Sequence, residues 1–358
     1  MAINSNEIYH LARLALGGTP GDVQMYIKRL AVKLESTDRK LSEKLGRLRS
    51  QSETVWRKRS PVPVDSDSHL QLVRVEDGIE LEIEPILQPP TDKLIEQLIL
   101  ERGMIDQLIG QDIVPTKSAL FVGKPGVGKT MTARWIAARI NKTLVTLDLS
   151  AVISSYLGKT GSNLRNVLDF AKQQDCILLL DEFDAIAKKR DDESDIGELK
   201  RLVTVLLQEV DQWPYHGLLI AATNHGELLD PAVWRRFDML VEFPMPTLET
   251  AEDILRMYWG GHDQIDENIM ALLALLWKDQ SPSELARQIA QIRRQAAVFN
   301  KPPLEVVLST IESYLADQDK DVLKKMVPIL VNNGYSQRKV SELTGLARNT
   351  VSKALASK

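Results

Sequence analysis

Short, almost uninterrupted apolar runs recur in the middle of the chain: Ser118-Ala119-Leu120-Phe121-Val122, then Cys176 to Leu180, Gly217 to Ala222, and Leu240-Val241-Glu242-Phe243. Such runs predict strands buried on both faces, the pattern of a parallel sheet, because half-exposed strands alternate. Helical patterns lie between them. Thr91 is placed to cap a helix reaching about Leu108, and Met131 to Ile140 forms another. The alternation predicts an α/β domain over 91–245. From Pro246 to Gln318 strand signals vanish and helical spacing dominates, so 246–318 is expected to be all-helical, and 319–358 is a further helical module.

The amino-terminal part reads differently. Ile8, Leu11 and Leu14, then Val23, Ile27, Leu30 and Leu34, fall at helical spacing around the Gly17–Gly21 break, which predicts a helical hairpin over 1–50. Ser50 to Ser68 is polar, contains Arg57-Lys58-Arg59 and two prolines, and lacks periodicity, so it reads as a linker. Leu72 to Val75 and Ile79 to Ile83 alternate around Asp77-Gly78, the signature of a β-hairpin. Linker and hairpin together occupy 51–90.

Composition adds limits. A chain of 358 residues suits two or three domains with a core that needs no covalent staples. No basic leader opens it and no apolar run reaches membrane-spanning length, so the expectation is a cytoplasmic protein with no membrane partner. The single cysteine, Cys176, excludes a disulfide within the chain and reads as a core residue. Net charge is only −4, yet residues 320–358 carry eight Lys or Arg against Asp321 and Glu342.

The chemistry begins where the first apolar run ends. Gly123-Lys124-Pro125-Gly126-Val127-Gly128-Lys129-Thr130-Met131 is a phosphate-binding loop between a strand and a helix. Its glycines permit backbone angles and close approaches that let successive N–H groups meet phosphates. Lys129 is the group expected on the β- and γ-phosphates of ATP, and the Thr130 hydroxyl is expected on Mg²⁺. The second apolar run ends in Asp181-Glu182. Asp181 is assigned to the Mg²⁺ shell and Glu182 to orienting and deprotonating the attacking water. The third ends at Asn224, a partner for that water or for the γ-phosphate. Arg235 and Arg236, just before the last strand, are both candidates to stabilise charge in phosphoryl transfer.

This order of parts resembles the AAA+ ATPases, and within them the AAA subgroup of protein-remodelling enzymes. The resemblance covers roughly residues 90–300 and rests on the phosphate loop, Asp181-Glu182, Asn224 as first sensor, and Leu229-Asp230-Pro231-Ala232 followed by Arg236-Phe237-Asp238. It implies a five-stranded parallel sheet, a helical lid over 246–318, and a self-assembled ring, usually of six subunits, in which an arginine finger reaches the neighbouring subunit's nucleotide. Relatives commonly place residues between the two arginines, whereas here Arg235 and Arg236 are adjacent, so either fits the finger. Lys124 stands where Pro is frequent. Ser281 to Leu285 resembles the segment where some AAA+ clades place a second sensor arginine, and Ser283 stands near that position, with Arg287 one helical turn on.

Tyr156-Leu157-Gly158, within 154–160, resembles the first pore loop of protein-translocating AAA rings. An exposed aromatic grips an extended polypeptide by area burial without reading its sequence; a tyrosine packed on the sheet rim is the alternative. Tyr335 to Leu355 resembles a helix-turn-helix pivoting at Gly345, with Val340, Leu346 and Val351 as its interior and Arg348, Asn349 and Lys353 offered to DNA. A protein contact is the alternative there. The leading expectation is an ATP-hydrolysing ring motor that unfolds or translocates protein substrates, with a separate protease or other effector downstream. The alternatives are a DNA-associated AAA+ ATPase, such as a loader, transposition helper or regulator, and a nucleotide-gated scaffold.

Overall fold

The structure is a computed structural model that describes residues 26, 30, 44, 62–64, 71–81, 83–149, 160–187, 196–260, 267–316, 320–332 and 335–356. The chain divides into two units, 1–62 and 63–358. In the first, Tyr26, Leu30 and Lys44 are helical and Leu30 is buried; the rest of the expected helical hairpin, and most of the linker, lie outside the described residues.

The second unit is built on a six-stranded sheet. Its strands are β1 (Arg74–Glu76), β2 (Ser118–Gly123), β3 (Thr143–Asp148), β4 (Cys176–Asp181), β5 (Leu218–Thr223) and β6 (Met239–Phe243), in the spatial order β1-β3-β4-β5-β2-β6. Five strands run parallel: the four apolar runs of the sequence and β3, which no such run announced. The sixth corrects the expected hairpin. β1 pairs antiparallel with β3, Arg74 opposite Thr146 and Glu76 opposite Leu144, while residues 79–81 form no strand. An isolated two-stranded hairpin is marginal in water, whereas the open edge of β3 offers a ready ladder. Asp77 and Gly78 (φ 57°) do turn the chain, and Asp77 accepts a hydrogen bond from the Thr143 hydroxyl at the start of β3.

Helices cover both faces of the sheet. α1 (Pro89–Gly103), the short α2 (Ile105–Ile109) and α3 (Lys129–Arg139) precede β3. Ile95 and Leu98 of α1 and Ala133, Trp135, Ile136 and Ala137 of α3 pack with Phe121, Leu179, Ile220 and Val241. On the sheet's other side, α4 (Thr160–Gln173) lies against β4 and α6 (Ile196–Asp211) against α4, with the short α5 (Asp184–Ala187) between them in sequence. Leu164, Val167, Leu168, Leu206 and Val210 are buried there. Cys176 is buried, its thiol pushed up to about 12 by burial, which makes it the inert core residue expected.

Beyond α7 (Pro231–Trp234) and β6 the chain is helical: α8 (Leu248–Trp259), α9 (Glu267–Leu276), α10 (Pro282–Phe299), α11 (Pro303–Ala316), α12 (Lys320–Asn332), α13 (Gln337–Thr344) and α14 (Arg348–Ala356). One apolar cluster runs from Leu255, Trp259 and Trp277 through Ile292 and Leu315 to Val327, Val340, Leu346 and Val351. This cluster draws residues from both of the expected segments, 246–318 and 319–358.

Candidate active site

A parallel sheet gathers functional groups at the carboxyl ends of its strands, where the connections can vary without disturbing the core. Here β2, β5 and β4 are adjacent and end, respectively, in the phosphate loop, in Thr223-Asn224 and in Asp181-Glu182. Residues far apart in sequence therefore meet at one sheet edge.

The loop from Gly123 to Gly128 is held by its glycines. A Cβ at Gly123 would lie 2.4 Å from the Phe243 carbonyl oxygen of the neighbouring strand, and Gly126 and Gly128 have φ of +79° and +106°. Gly128 then starts α3 without a side-chain cap. The first N–H groups of any α-helix lack intrahelical acceptors, so this end suits an anion.

Lys129 is 6% exposed, and its ammonium donates to the Gly123 carbonyl (2.6 Å), the Lys124 carbonyl (3.0 Å) and Asn224 Oδ1 (2.8 Å). Burial lowers its pKa to about 8, against the opposing pull of Asp181 and Asp184. An anionic ligand in the loop favours its charged form. Lys124 contributes its carbonyl to this arrangement and leaves its side chain exposed.

Thr130 Oγ1 donates to Asp181 Oδ2 at 3.0 Å, so the two oxygens assigned to Mg²⁺ are neighbours. No cluster of three or more His, Cys, Asp or Glu able to hold a metal occurs among the described residues. The Thr130 and Asp181 oxygens themselves fit Mg²⁺, which takes one or two protein oxygens and completes its shell with phosphates and water. Glu182 is exposed at the end of β4 with φ of 53°, outside the regions that side chains prefer. Its N–H donates to Asp181 Oδ1 and its carbonyl accepts from the Ala185 N–H, which pins the residue from both sides.

Asp184 was not singled out by the sequence. Its Oδ1 accepts from the Thr223 hydroxyl (3.0 Å) and the Asn224 N–H (3.2 Å), so it sets the direction in which Asn224 reaches Lys129. The available signal was an acid one residue beyond Phe183, facing the polar end of β5.

The lid meets the loop directly. The Ser283 N–H, in the first turn of α10, donates to the Gly126 carbonyl at 3.1 Å. Glu284 secures that turn by accepting from the Ser281 N–H and hydroxyl, bonds that hold its carboxyl below the usual range. Arg287 is exposed farther along α10.

Arg235 and Arg236 are not brought to this cluster. They follow α7, where the Asp230 carboxylate caps the helix by accepting from the Ala232 N–H. Phe237 then packs edge-on against Phe183 at 5.9 Å. Asp238 accepts from Ser118 N–H and Oγ at the amino end of β2. The phosphate loop follows the other end of that strand, about 16 Å away at ordinary strand rise. Arg236 forms an ion pair with Asp211, whereas Arg235 is exposed and has no ion pair among the described residues. Met131 is half-buried in α3, and Arg348, Asn349 and Lys353 are exposed on α14. Tyr156, Leu157 and Gly158 lie outside the described residues.

Comparison with known proteins agrees with this geometry. Residues 119–245 match the ATPase family associated with various cellular activities (AAA). The chain is similar to an uncharacterized AAA family ATPase, y4kL, of Sinorhizobium fredii: 40% identity over 161 residues, 45% of this chain and 49% of that protein. It is 31% identical over 236 residues to a proteasome-activating nucleotidase of Methanocella arvoryzae, covering 63% of this chain and 56% of that protein. With the 26S proteasome regulatory subunit 10B homolog A of Arabidopsis thaliana it shares 36% identity over 172 residues, 45% and 43% of the two chains. The chain thus spans about half the length of these curated relatives. The crystal structure of the FIGL-1 AAA domain superposes with a TM-score of 0.53 at 19% identity, over 80% of this chain and 90% of that one, which supports the fold. Through residues 119–245, the chain carries a domain of the AAA family of ATPases.

Proposed function

We propose that the protein hydrolyses ATP and uses the energy to remodel or unfold other proteins. The observation that carries the first half is the convergence of Lys129, Asn224, Thr130, Asp181 and Glu182 at one sheet edge. Lys129 and the loop's backbone bind the phosphates, and Asn224, aimed by Asp184, orients the terminal phosphate and the water. Thr130 and Asp181 would hold Mg²⁺, which would supply positive charge to the phosphate oxygens. Glu182 accepts the proton of the attacking water.

The separation of the arginines from this cluster supports a ring, six-membered by resemblance. An arginine that makes no bond within its own copy's nucleotide cluster is available to the nucleotide of another copy. Arg235 is the better finger because Asp211 occupies Arg236. Arg235→Ala is expected to lower ATP turnover at saturating nucleotide by about 10³-fold or more, while Arg236→Ala has the smaller effect. Mixing Arg235→Ala with Glu182→Gln protein should restore some turnover, since mixed rings contain intact shared sites. No recovery on mixing speaks against a site built from two copies.

The second half rests on the relatives named proteasome-activating nucleotidase and proteasome regulatory subunit, and on Tyr156-Leu157-Gly158 in the chain. Among the described residues no helix is long and apolar enough to cross a membrane, and a cytoplasmic setting with a separate effector accords with this reading. The test is ATP-dependent loss of fluorescence from a tagged, folded green fluorescent client. Tyr156→Ala is expected to retain basal ATP hydrolysis and to stop client unfolding. Unfolding at the unaltered rate would remove Tyr156 from the mechanism.

A further inference from the structure

We propose that the outer face of α13 and α14 is a binding surface for duplex DNA, with α14 entering the major groove. α13 and α14 are joined by a three-residue turn, 345–347, in which Gly345 has φ of +64°. The Ser336 hydroxyl caps α13 by accepting from the Lys339 N–H at 3.2 Å. Ser341 Oγ donates across the turn to the Leu346 carbonyl at 2.7 Å, and within α13 Thr344 Oγ1 donates to the Val340 carbonyl at 2.6 Å. Val340, Leu346 and Val351 are buried, with α12 packed against both helices. These are the parts and the interior of a helix-turn-helix.

The opposite face is polar and cationic. Arg348, Asn349, Ser352 and Lys353 of α14 are exposed, as are Arg338 and Lys339 of α13. Arg338 is paired with Glu342 and Lys339 with Glu312 at 3.8 Å, whereas Arg348 and Lys353 make no ion pair among the described residues. Two uncompensated cations on a helix whose diameter matches the major groove suit phosphates and base edges, and Asn349 between them presents both donor and acceptor to a base. No exposed large apolar side chain occurs among the described residues of 320–356. A protein-docking face draws on apolar or aromatic anchors at its centre, so the surface favours nucleic acid.

The test uses the full-length protein and a fluorescein-labelled pool of duplexes randomised over two helical turns, with binding followed by anisotropy at several salt concentrations. Wild type is expected to bind at about 50 mM salt and to weaken steeply toward about 200 mM. The Arg348→Ala/Lys353→Ala double variant should bind at least about fivefold more weakly and lose about two units of salt slope, one per phosphate contact. Its ATP turnover serves as the folding control. If the double variant loses turnover as well, Lys353→Gln alone, an exposed and conservative change, carries the comparison with an expected loss of about one unit of slope. Asn349→Ala should change the sequences selected from the pool while leaving the slope intact. Failure of wild type to bind at about 50 mM salt, or unchanged binding by a turnover-competent variant, overturns the proposal. Because the measurement needs no hydrolysis, its failure is distinct from failure of the ATPase or the unfoldase reading.

Discussion

Glu182→Gln is expected to bind ATP with near-normal affinity and to turn it over about 10²–10⁴-fold more slowly, the usual contribution of a positioned general base. Glutamine keeps the size of the side chain and its hydrogen bonding, and removes only the ability to take a proton. The backbone should not respond, because Glu182 is held through its N–H by Asp181 and through its carbonyl by Ala185. A φ of 53° at a residue with a side chain costs of order 1–3 kcal/mol and persists only where the surroundings impose it. Here those surroundings include Phe183, whose N–H donates to the Ala222 carbonyl of β5 at 2.9 Å and whose ring meets Phe237. The measurements are phosphate release and equilibrium binding of a fluorescent ATP analogue. A variant that hydrolyses at the wild-type rate assigns the base elsewhere.

Gly126→Ala is the second large effect, and it acts on the seam between loop and lid. Its Cβ would stand 2.2 Å from Ser283 Oγ and 2.7 Å from Ser281 Oγ, at a φ of +79°. A left-handed conformation costs a residue bearing a Cβ about 1–2 kcal/mol, and overpacking typically adds about 1–3 kcal/mol. The lid's first turn is then expected to move off the loop, with a lower melting temperature and impaired nucleotide binding. Adding Ser283→Gly removes the nearest colliding atoms and leaves the backbone strain, so the double variant should recover part of the loss. A single variant with wild-type melting and wild-type ATP affinity would contradict the observed Ser283–Gly126 contact.

Much of the site is written in local sequence. The phosphate loop, the apolar strands and the acids or amide ending them each depend on neighbours within a few residues, and parallel strands buried on both faces leave an apolar signature that polar surroundings cannot imitate. Asp181, Thr130, Asn224 and Lys129 accordingly meet where expected. What escaped depends on distant partners. The alternation around Asp77-Gly78 correctly marks a strand and a turn, yet nothing in residues 72–83 says that the edge of β3, some 70 residues on, outcompetes the second arm. Asp184 has meaning only once β4 and β5 lie side by side. The pairing of Arg236 with Asp211, which leaves Arg235 as the available cation, follows from α6 ending near α7 and has no counterpart in the adjacent letters.

The common core of the last seven helices has a practical consequence. Val327, Val340, Leu346 and Val351 are buried in the same cluster as Trp277, Ile292 and Leu315. The final forty residues are therefore no cassette that can be cut away or grafted onto another scaffold. Truncation before Lys320 is expected to expose the apolar surface that α9 and α11 bury against α12 and α13, so dissection of this region belongs to point substitutions on its outer surface.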